Sequence, residues 1–167
     1  MGRAAWRLLA ILAALGLLAV RPASAQQREF TFTLTGGPLV FTSASAADFA
    51  AGHALHPTGF AFLVDITGNA PPPQVFQTTV AIRGTTPTLG GNGKPLADLE
   101  WSLGSPAGPW MPFTATDAVV ESRPVQRNRL NDPWGNTVFV RMLLAWANDG
   151  PATYAAGIVV TLTVTGP

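Results

Sequence analysis

The sequence predicts an all-β protein, a single Ig-like antiparallel β-sandwich of about seven to nine strands. Segments in which apolar and polar residues alternate recur at intervals of roughly 8 to 20 residues, which is typical of strands in sandwiches. Turns rich in Gly and Pro separate these segments, and the 167 residues include 17 Gly and 15 Pro. No segment shows the 3.6-residue periodicity of a long amphipathic helix, so the strands must cover one another.

The first 25 residues are predicted to be a secretory signal peptide. Two arginines precede an apolar run from residue 8 to residue 20, and an Ala-Ser-Ala cleavage site ends at Ala25. The run is thirteen residues long, shorter than the about 20 residues that a membrane-spanning helix needs. We therefore expect cleavage before Gln26, a secreted or cell-surface protein with no membrane span after cleavage, and one β-sandwich domain over residues 26–167.

The charge balance argues against a nucleic-acid partner. The full chain has ten basic and nine acidic residues and a formal charge of +1. Three arginines leave with the signal peptide, so the mature chain has seven basic residues against nine acidic ones, a net charge of −2. Nucleic-acid binding usually requires a basic surface, so none is expected. Because cysteine is absent, an exported domain of this kind must be held together without disulfides.

The predicted elements run from Phe30 to Ser122 before a long loop. Alternation predicts strands over residues 30–35, 60–66, 74–83, 99–103, 110–114 and 117–122. Between the first two of these, residues 39–42 predict a short strand, and the Ala-rich segment after it predicts one helical turn capped by Ser43 or Ser45. Residues 123–136 show no periodicity and are predicted to form a loop longer than most connections in compact domains.

The last two strands are predicted to organise the sandwich. In Ile158–Thr165 the apolar residues alternate with polar ones, which predicts one buried and one solvated face. The segment Thr137–Ala147 is apolar on both faces, which predicts a central strand covered on both sides. In these patterns Trp101 and Trp146 fall at core positions, whereas Trp134 lies beside a proline in the long loop.

The residue types that catalysis requires do not come together in the sequence. Asp98 and Glu100 share one strand face opposite Trp101, which is typical of a solvated face rather than of a glycosidase pair. His53 and His56 lie in an irregular segment, and no further ligands follow at the spacing of a zinc site. We predict no catalytic residue, no metal site and no cofactor, and we expect that the protein is not an enzyme.

The last hairpin resembles the closing strands of exported Ig-like subunits of the spore-coat-U and fimbrial type. The resemblance rests on Pro151, on Thr153 and Tyr154, and on the alternating Val/Thr strand at residues 158–165. The N-terminal Phe/Thr strand is similar to those that such subunits exchange. The resemblance implies a surface or filament building block rather than an enzyme, and no site residues carry over from it.

Two hypotheses for function follow from these patterns. The first is an exported structural or assembly subunit of the cell surface or of an extracellular filament. It would form a homo-oligomer or polymer by pairing its first strand, through Phe30, Phe32 and Leu34, because that strand adjoins a free end and few charges oppose edge pairing.

The alternative is a secreted carbohydrate- or protein-binding module that uses the loop Arg123–Asn136. Its candidate residues are Trp134, Arg127 and Arg129, because a flat aromatic ring beside guanidiniums suits a glycan or protein ligand.

Overall fold

The computed structural model describes residues 29–36, 38–41, 44–67, 75–90, 93–126, 133–150 and 152–166, apart from the side chains at positions 29, 66, 67 and 126. These residues form an all-β sandwich, which confirms the predicted fold class. The strands pair only in antiparallel fashion across the part of the chain described.

Eleven strands and one short α-helix follow one another along the described residues. They are β1 (Glu29–Thr35), β2 (Val40–Phe41), α1 (Ala46–Ala51), β3 (His53–Leu55), β4 (Phe60–Thr67), β5 (Val75–Gly84), β6 (Leu99–Leu103), β7 (Met111–Pro112), β8 (Ala118–Gln126), β9 (Trp134–Leu143), β10 (Tyr154–Ala155) and β11 (Ile158–Thr165). A 3₁₀ turn over Leu96–Asp98 precedes β6. Seven strands have five or more residues, within the predicted range of seven to nine. The other four have two or three residues. The sequence predicts β2 within residues 39–42 and β7 within residues 110–114, but β3 and β10 are too short for alternation to reveal.

Two sheets build the sandwich. The first has the order β1-β4-β9-β6-β7, and β3 continues the edge of β9 beyond the end of β4. The second has the order β11-β5-β8, and β2 and β10 form a separate pair. Strand β9 is central in the first sheet, as the sequence predicts, because it pairs with β4 and β6 along its two edges. The prediction that both of its faces are covered is wrong: Phe139, Arg141 and Leu143 on the outer face are only half-buried.

The core lies between the inner faces of the two sheets. On β9 the residues Val138, Val140 and Met142 alternate along the strand and are completely buried. On β5 the facing residues Val80 and Ile82 are equally buried. This two-residue spacing is what places one row of each strand in the core and the next row on the outer face.

The predicted position of Trp146 in the core is wrong. Strand β9 ends at Leu143, where its pairing with β3 ends, and a turn follows in which the Ala145 N–H donates to Asp149. Trp146 lies on this turn, is 67% exposed, and stacks on Phe49 at 4.5 Å between ring centroids. Trp101, the other tryptophan predicted in the core, is 1% exposed, which confirms its placement.

The predicted helical turn after β2 is confirmed. Ser45 caps α1: its hydroxyl accepts a hydrogen bond from the Asp48 N–H, and the Asp48 carboxylate accepts from the Ser45 N–H. The hydrogen bonds that the Asp48 carboxylate accepts from the Ser45 hydroxyl, at 2.7 Å, and from the Ser45 N–H lower the pKa of Asp48. Gly52 ends the helix at a φ of 73°, a left-handed conformation that favours glycine.

Candidate interaction surface

Strand β1 forms one edge of the first sheet. It pairs with β4 along its whole length, from Glu29 opposite Thr67 to Thr35 opposite Ala61. Among the described residues no strand pairs with its other side. Within the described ranges, the backbone N–H and C=O groups on that side have no paired strand, so an added strand could pair with them.

The three residues of β1 predicted to mediate self-association become more exposed along the strand. The Phe30 ring is half-buried and meets the Phe76 ring edge-on at 5.5 Å. Phe32 is half-buried as well and lies 6.5 Å from the Phe62 ring. Leu34 is 49% exposed. The beginning of β1 thus packs on the core, whereas its end leaves apolar surface uncovered.

Strand β11 forms an edge of the second sheet. It pairs with β5 through eight consecutive residues, from Ile158 opposite Gly84 to Thr165 opposite Gln77. The strand carries no charged residue and no proline. Its inward residues Ile158 and Val160 pack against the core but remain half-buried rather than buried.

A groove of about 210 Å³ lies where the end of β1 approaches the start of β11. Its lining is mostly apolar and consists of Leu34, Thr35, Gly36, Pro38, Leu39, Phe60, Ala156, Ile158 and Val160. At Gly36 φ is 140°, and a Cβ there would lie 3.0 Å from the Phe60 Cβ, so this side of the groove requires glycine. We call β1, β11 and the groove between them the open side of the sandwich.

The opposite edge of the second sheet, β8, is built differently. It contains Pro124, which has no N–H to offer a further strand, and the ion pair of Arg123 with Glu121 at 2.6 Å. Its pairing with β5 is interrupted by a bulge between Val80 and Ala81. Charges, proline and bulges are the features by which edge strands avoid pairing with other chains. We call β8 the guarded edge.

The predicted loop Arg123–Asn136 is wrong at its start, because β8 continues to Gln126. Trp134, near its end, does not lie in a loop either. It is the first residue of β9, is 7% exposed, and its Nε1 donates to the Thr78 hydroxyl at 3.2 Å. The Phe62 ring meets it edge-on, and the Arg123 guanidinium lies 5.3 Å from its ring centroid. Its ring therefore presents little surface to a ligand. Arg127 and Arg129, the other two residues predicted to bind with it, lie outside the described residues.

Sequence reasoning missed a buried ionic cluster of Lys94, Asp98 and Asp149, which we call the lysine cluster. The Lys94 side chain is 4% exposed, and its Nζ lies 2.8 and 2.9 Å from the two carboxylate oxygens of Asp149 and 3.0 Å from Asp98 Oδ2. Burial opposes the charge on Lys94, but the bonds to both carboxylates outweigh it and raise its pKa. Burial likewise opposes the charge on Asp149, and Lys94 and the Ala145 N–H outweigh it and lower its pKa.

The lysine cluster borders a polar cavity of about 570 Å³, which is also lined by Asn148, Gly150 and Tyr154. No spacing in the sequence signals this arrangement, because Lys94 and Asp149 are 55 residues apart and meet only in the fold. A lysine in a Gly-rich loop and an aspartate in a turn are each typical of solvated surface when read alone.

Neither metal-binding residues in the described ranges nor similarity to known proteins gives a further indication of function. Within the described ranges, no three His, Asp or Glu side chains lie close enough together to hold a metal ion. None of the helices in those ranges has the length and apolarity to cross a membrane. Comparisons of the chain with protein-family models, with curated proteins and with solved structures find no match.

Proposed function

We propose that the mature protein is an exported structural subunit of the cell surface or of an extracellular filament, and that it self-associates by strand pairing rather than acting as an enzyme. One observation carries the proposal. The two strands on the open side, β1 and β11, are edge strands without a charged residue between Phe30 and Thr35 or between Ile158 and Thr165, and both border one apolar groove.

An added strand on the open side would gain two kinds of interaction. Its backbone would pair with the free N–H and C=O groups of an edge strand, and its apolar side chains would enter the groove beside Leu34 and Val160. Each Å² of apolar surface removed from water contributes about 25 cal/mol. The alternating residues of β1 from a second copy suit this role, because Phe30, Phe32 and Leu34 point to one face and threonines to the other.

Two routes lead to such pairing. In the first, β1 stays on β4 and a second copy adds a strand beside it. In the second, β1 leaves its own sheet, with the segment after Thr35 as the hinge, and occupies the same position in a neighbour. Either route gives closed dimers when the contact is symmetric and open fibres when it runs head to tail.

The alternative, a carbohydrate- or protein-binding module, has less support. It depends on an accessible aromatic ring at Trp134, and that ring is 7% exposed beneath Arg123. Edge pairing through the open side remains the better hypothesis because its recognition groups are exposed.

Size-exclusion chromatography and negative-stain electron microscopy of the mature protein test the proposal. We expect oligomers or fibres whose abundance rises with protein concentration. A variant that lacks residues 26–35 should not polymerise alone. Under the exchange route it should be kept soluble by a peptide of the missing segment. A mature protein that stays monomeric at high concentration by both methods would contradict self-association and favour the binding module.

A further inference from the structure

We propose that Lys94 and Asp149 form an amide cross-link within the chain, without any added enzyme or cofactor. The inference rests on the buried lysine cluster and not on the proposed function. A lysine this buried is rare, and here its amine directly faces the two oxygens of a carboxyl group that is itself only 6% exposed.

The cluster contains each group that such a reaction requires. Lys94 Nζ is the nucleophile, and Asp149 Cγ lies between the two oxygens that Nζ touches at 2.8 and 2.9 Å. Asp98 Oδ2, 3.0 Å from Nζ, is placed to accept a proton from it. The Ala145 N–H donates to Asp149 Oδ2 at 2.8 Å, which is where negative charge develops when a carboxyl carbon is attacked.

The reaction is the dehydration of an ammonium carboxylate. One proton passes from Nζ to Asp149 Oδ1, which leaves a neutral amine facing a neutral carboxylic acid. The carboxyl group turns so that the Nζ lone pair reaches Cγ, and a C–N bond forms while charge collects on Oδ2. Asp98 accepts a second proton from the nitrogen and delivers it to Oδ1. The Cγ–Oδ1 bond then breaks, Oδ1 leaves as water, and an amide remains while Asp98 is again a carboxylate.

Two effects favour the product. Burial opposes the charged forms of both Lys94 and Asp149, and the amide removes both charges at once, although it also gives up the mutual hydrogen bonds that raise the pKa of Lys94 and lower that of Asp149. The fold also holds the amine against the carboxyl group, so the step needs no encounter between separate molecules, an advantage that can reach effective concentrations of about 10⁵–10⁸ M. The adjoining polar cavity provides a path along which the released water can leave.

Mass spectrometry of a tryptic digest of the mature, folded protein tests the proposal. Trypsin does not cut before proline, so Lys94 stays in the peptide 84–127 and Asp149 in the peptide 142–167. We expect one linked species whose mass is the sum of the two peptides less one water. Two separate peptides of full mass in the wild-type digest would overturn the proposal and leave the cluster as an ion pair only.

Three variants separate the chemistry from the ion pair. Lys94→Arg keeps the positive charge but lacks the amine, so its peptides should remain separate. Asp149→Asn should give the same linked species by loss of ammonia instead of water. Asp98→Asn should slow linking in newly synthesised protein by about 10²–10⁴-fold, the usual contribution of a positioned proton acceptor. Linking that proceeds at the wild-type rate in Asp98→Asn would refute the role of Asp98. If Lys94→Arg does not fold, the wild-type digest alone decides the question.

Discussion

The two edges of the second sheet pair with the same strand, β5, yet they are built in opposite ways. The guarded edge β8 has a proline, a glutamate and an arginine within four residues, and its ladder with β5 contains a bulge. The edge β11 has eight residues with no charge, no proline and an unbroken ladder. Because both strands share one neighbour, the difference lies in the edges themselves and not in the sheet that supports them.

Under the proposed self-association, this difference would decide which edge resists pairing with another copy and which edge permits it. Charged residues are only 11% of the chain, against about 25% in typical domains. With so few charges, the strand on which each charge lies affects edge pairing more than the total number of charges does. Glu121 and Arg123 lie on the edge of the second sheet that does not border the groove, whereas the edge that borders it has none. Uncharged edge strands of this length are sites at which other chains add.

The largest effect that we predict concerns Trp134, compared with Trp146. Trp134→Ala should lower the free energy of unfolding by about 3–5 kcal/mol, because the ring is buried between Phe62 and the guarded edge and donates a hydrogen bond to Thr78. Trp146→Ala should cost much less, because 67% of that residue is exposed. Denaturant midpoints of the two variants measure the difference. An equal loss of stability in both variants would mean that Trp134 does not anchor the guarded edge.

The same tryptophans show how far the sequence alone can be interpreted. Strand existence follows from local alternation, so β1, β4, β5, β6 and β11 are predicted close to their observed bounds. The ends of β9 are not, because its first residues pair with β4 and its last residue pairs with β3. Those partners are distant in the chain, and only they decide that the strand begins at Trp134 and ends before Trp146.

The candidate site was predicted only in part for a related reason. The pattern of Phe30, Phe32 and Leu34 identifies β1, since side-chain alternation is a property of the strand itself. That β11 lies across a groove from β1, and that Lys94 lies against Asp149, depends on how two sheets and two turns pack together. No local pattern contains that information.

The next largest effect concerns self-association on the open side. Thr163→Lys places a charge on the exposed outer face of β11 and should weaken self-association about tenfold or more, because a lysine on an edge strand disfavours pairing. The folded monomer should be nearly unaffected. Ala107→Lys is the matched control, since it adds the same charge at an exposed turn between β6 and β7. Sedimentation velocity measures both. Equal weakening by both variants would indicate a general charge effect and not a role of the β11 edge.

A smaller effect that we predict is a dependence of the stability on pH through His56. The His56 Nδ1 accepts a hydrogen bond from the Gly59 N–H at 3.0 Å. This bond lies in the turn that leads into β4, whose first residue, Phe60, lines the groove. Burial lowers the pKa of His56 below its usual value, so the fold favours the neutral ring. Its contribution to stability is therefore complete above the unfolded pKa of about 6.5 and is lost as the pH falls from there towards the folded pKa.

We accordingly expect the denaturant midpoint of the wild-type protein to be lower at about pH 5 than at about pH 8. In His56→Gln the amide oxygen can still accept from Gly59 but does not titrate, so the midpoint should change less over the same interval. A wild-type midpoint that is the same at both pH values, or a variant with an equal change, would refute the role of His56.

The smallest effect that we predict is a gain of association at the guarded edge. Proline within a sheet is confined to edges, where its missing N–H would face solvent, so Pro124→Thr should restore an outward donor on β8. Glu121 and Arg123 remain beside it and continue to oppose pairing, so we expect association to rise only about twofold to threefold. Replacing Arg123 by Thr as well should raise it further, although that change also removes the guanidinium over Trp134. Sedimentation velocity on the Thr163→Lys background makes the new contact easier to detect, because pairing through β11 is then weakened. If neither variant associates more than that background does, proline and charge do not guard this edge, and the contrast between β8 and β11 must have another cause, such as the bulge opposite Val80.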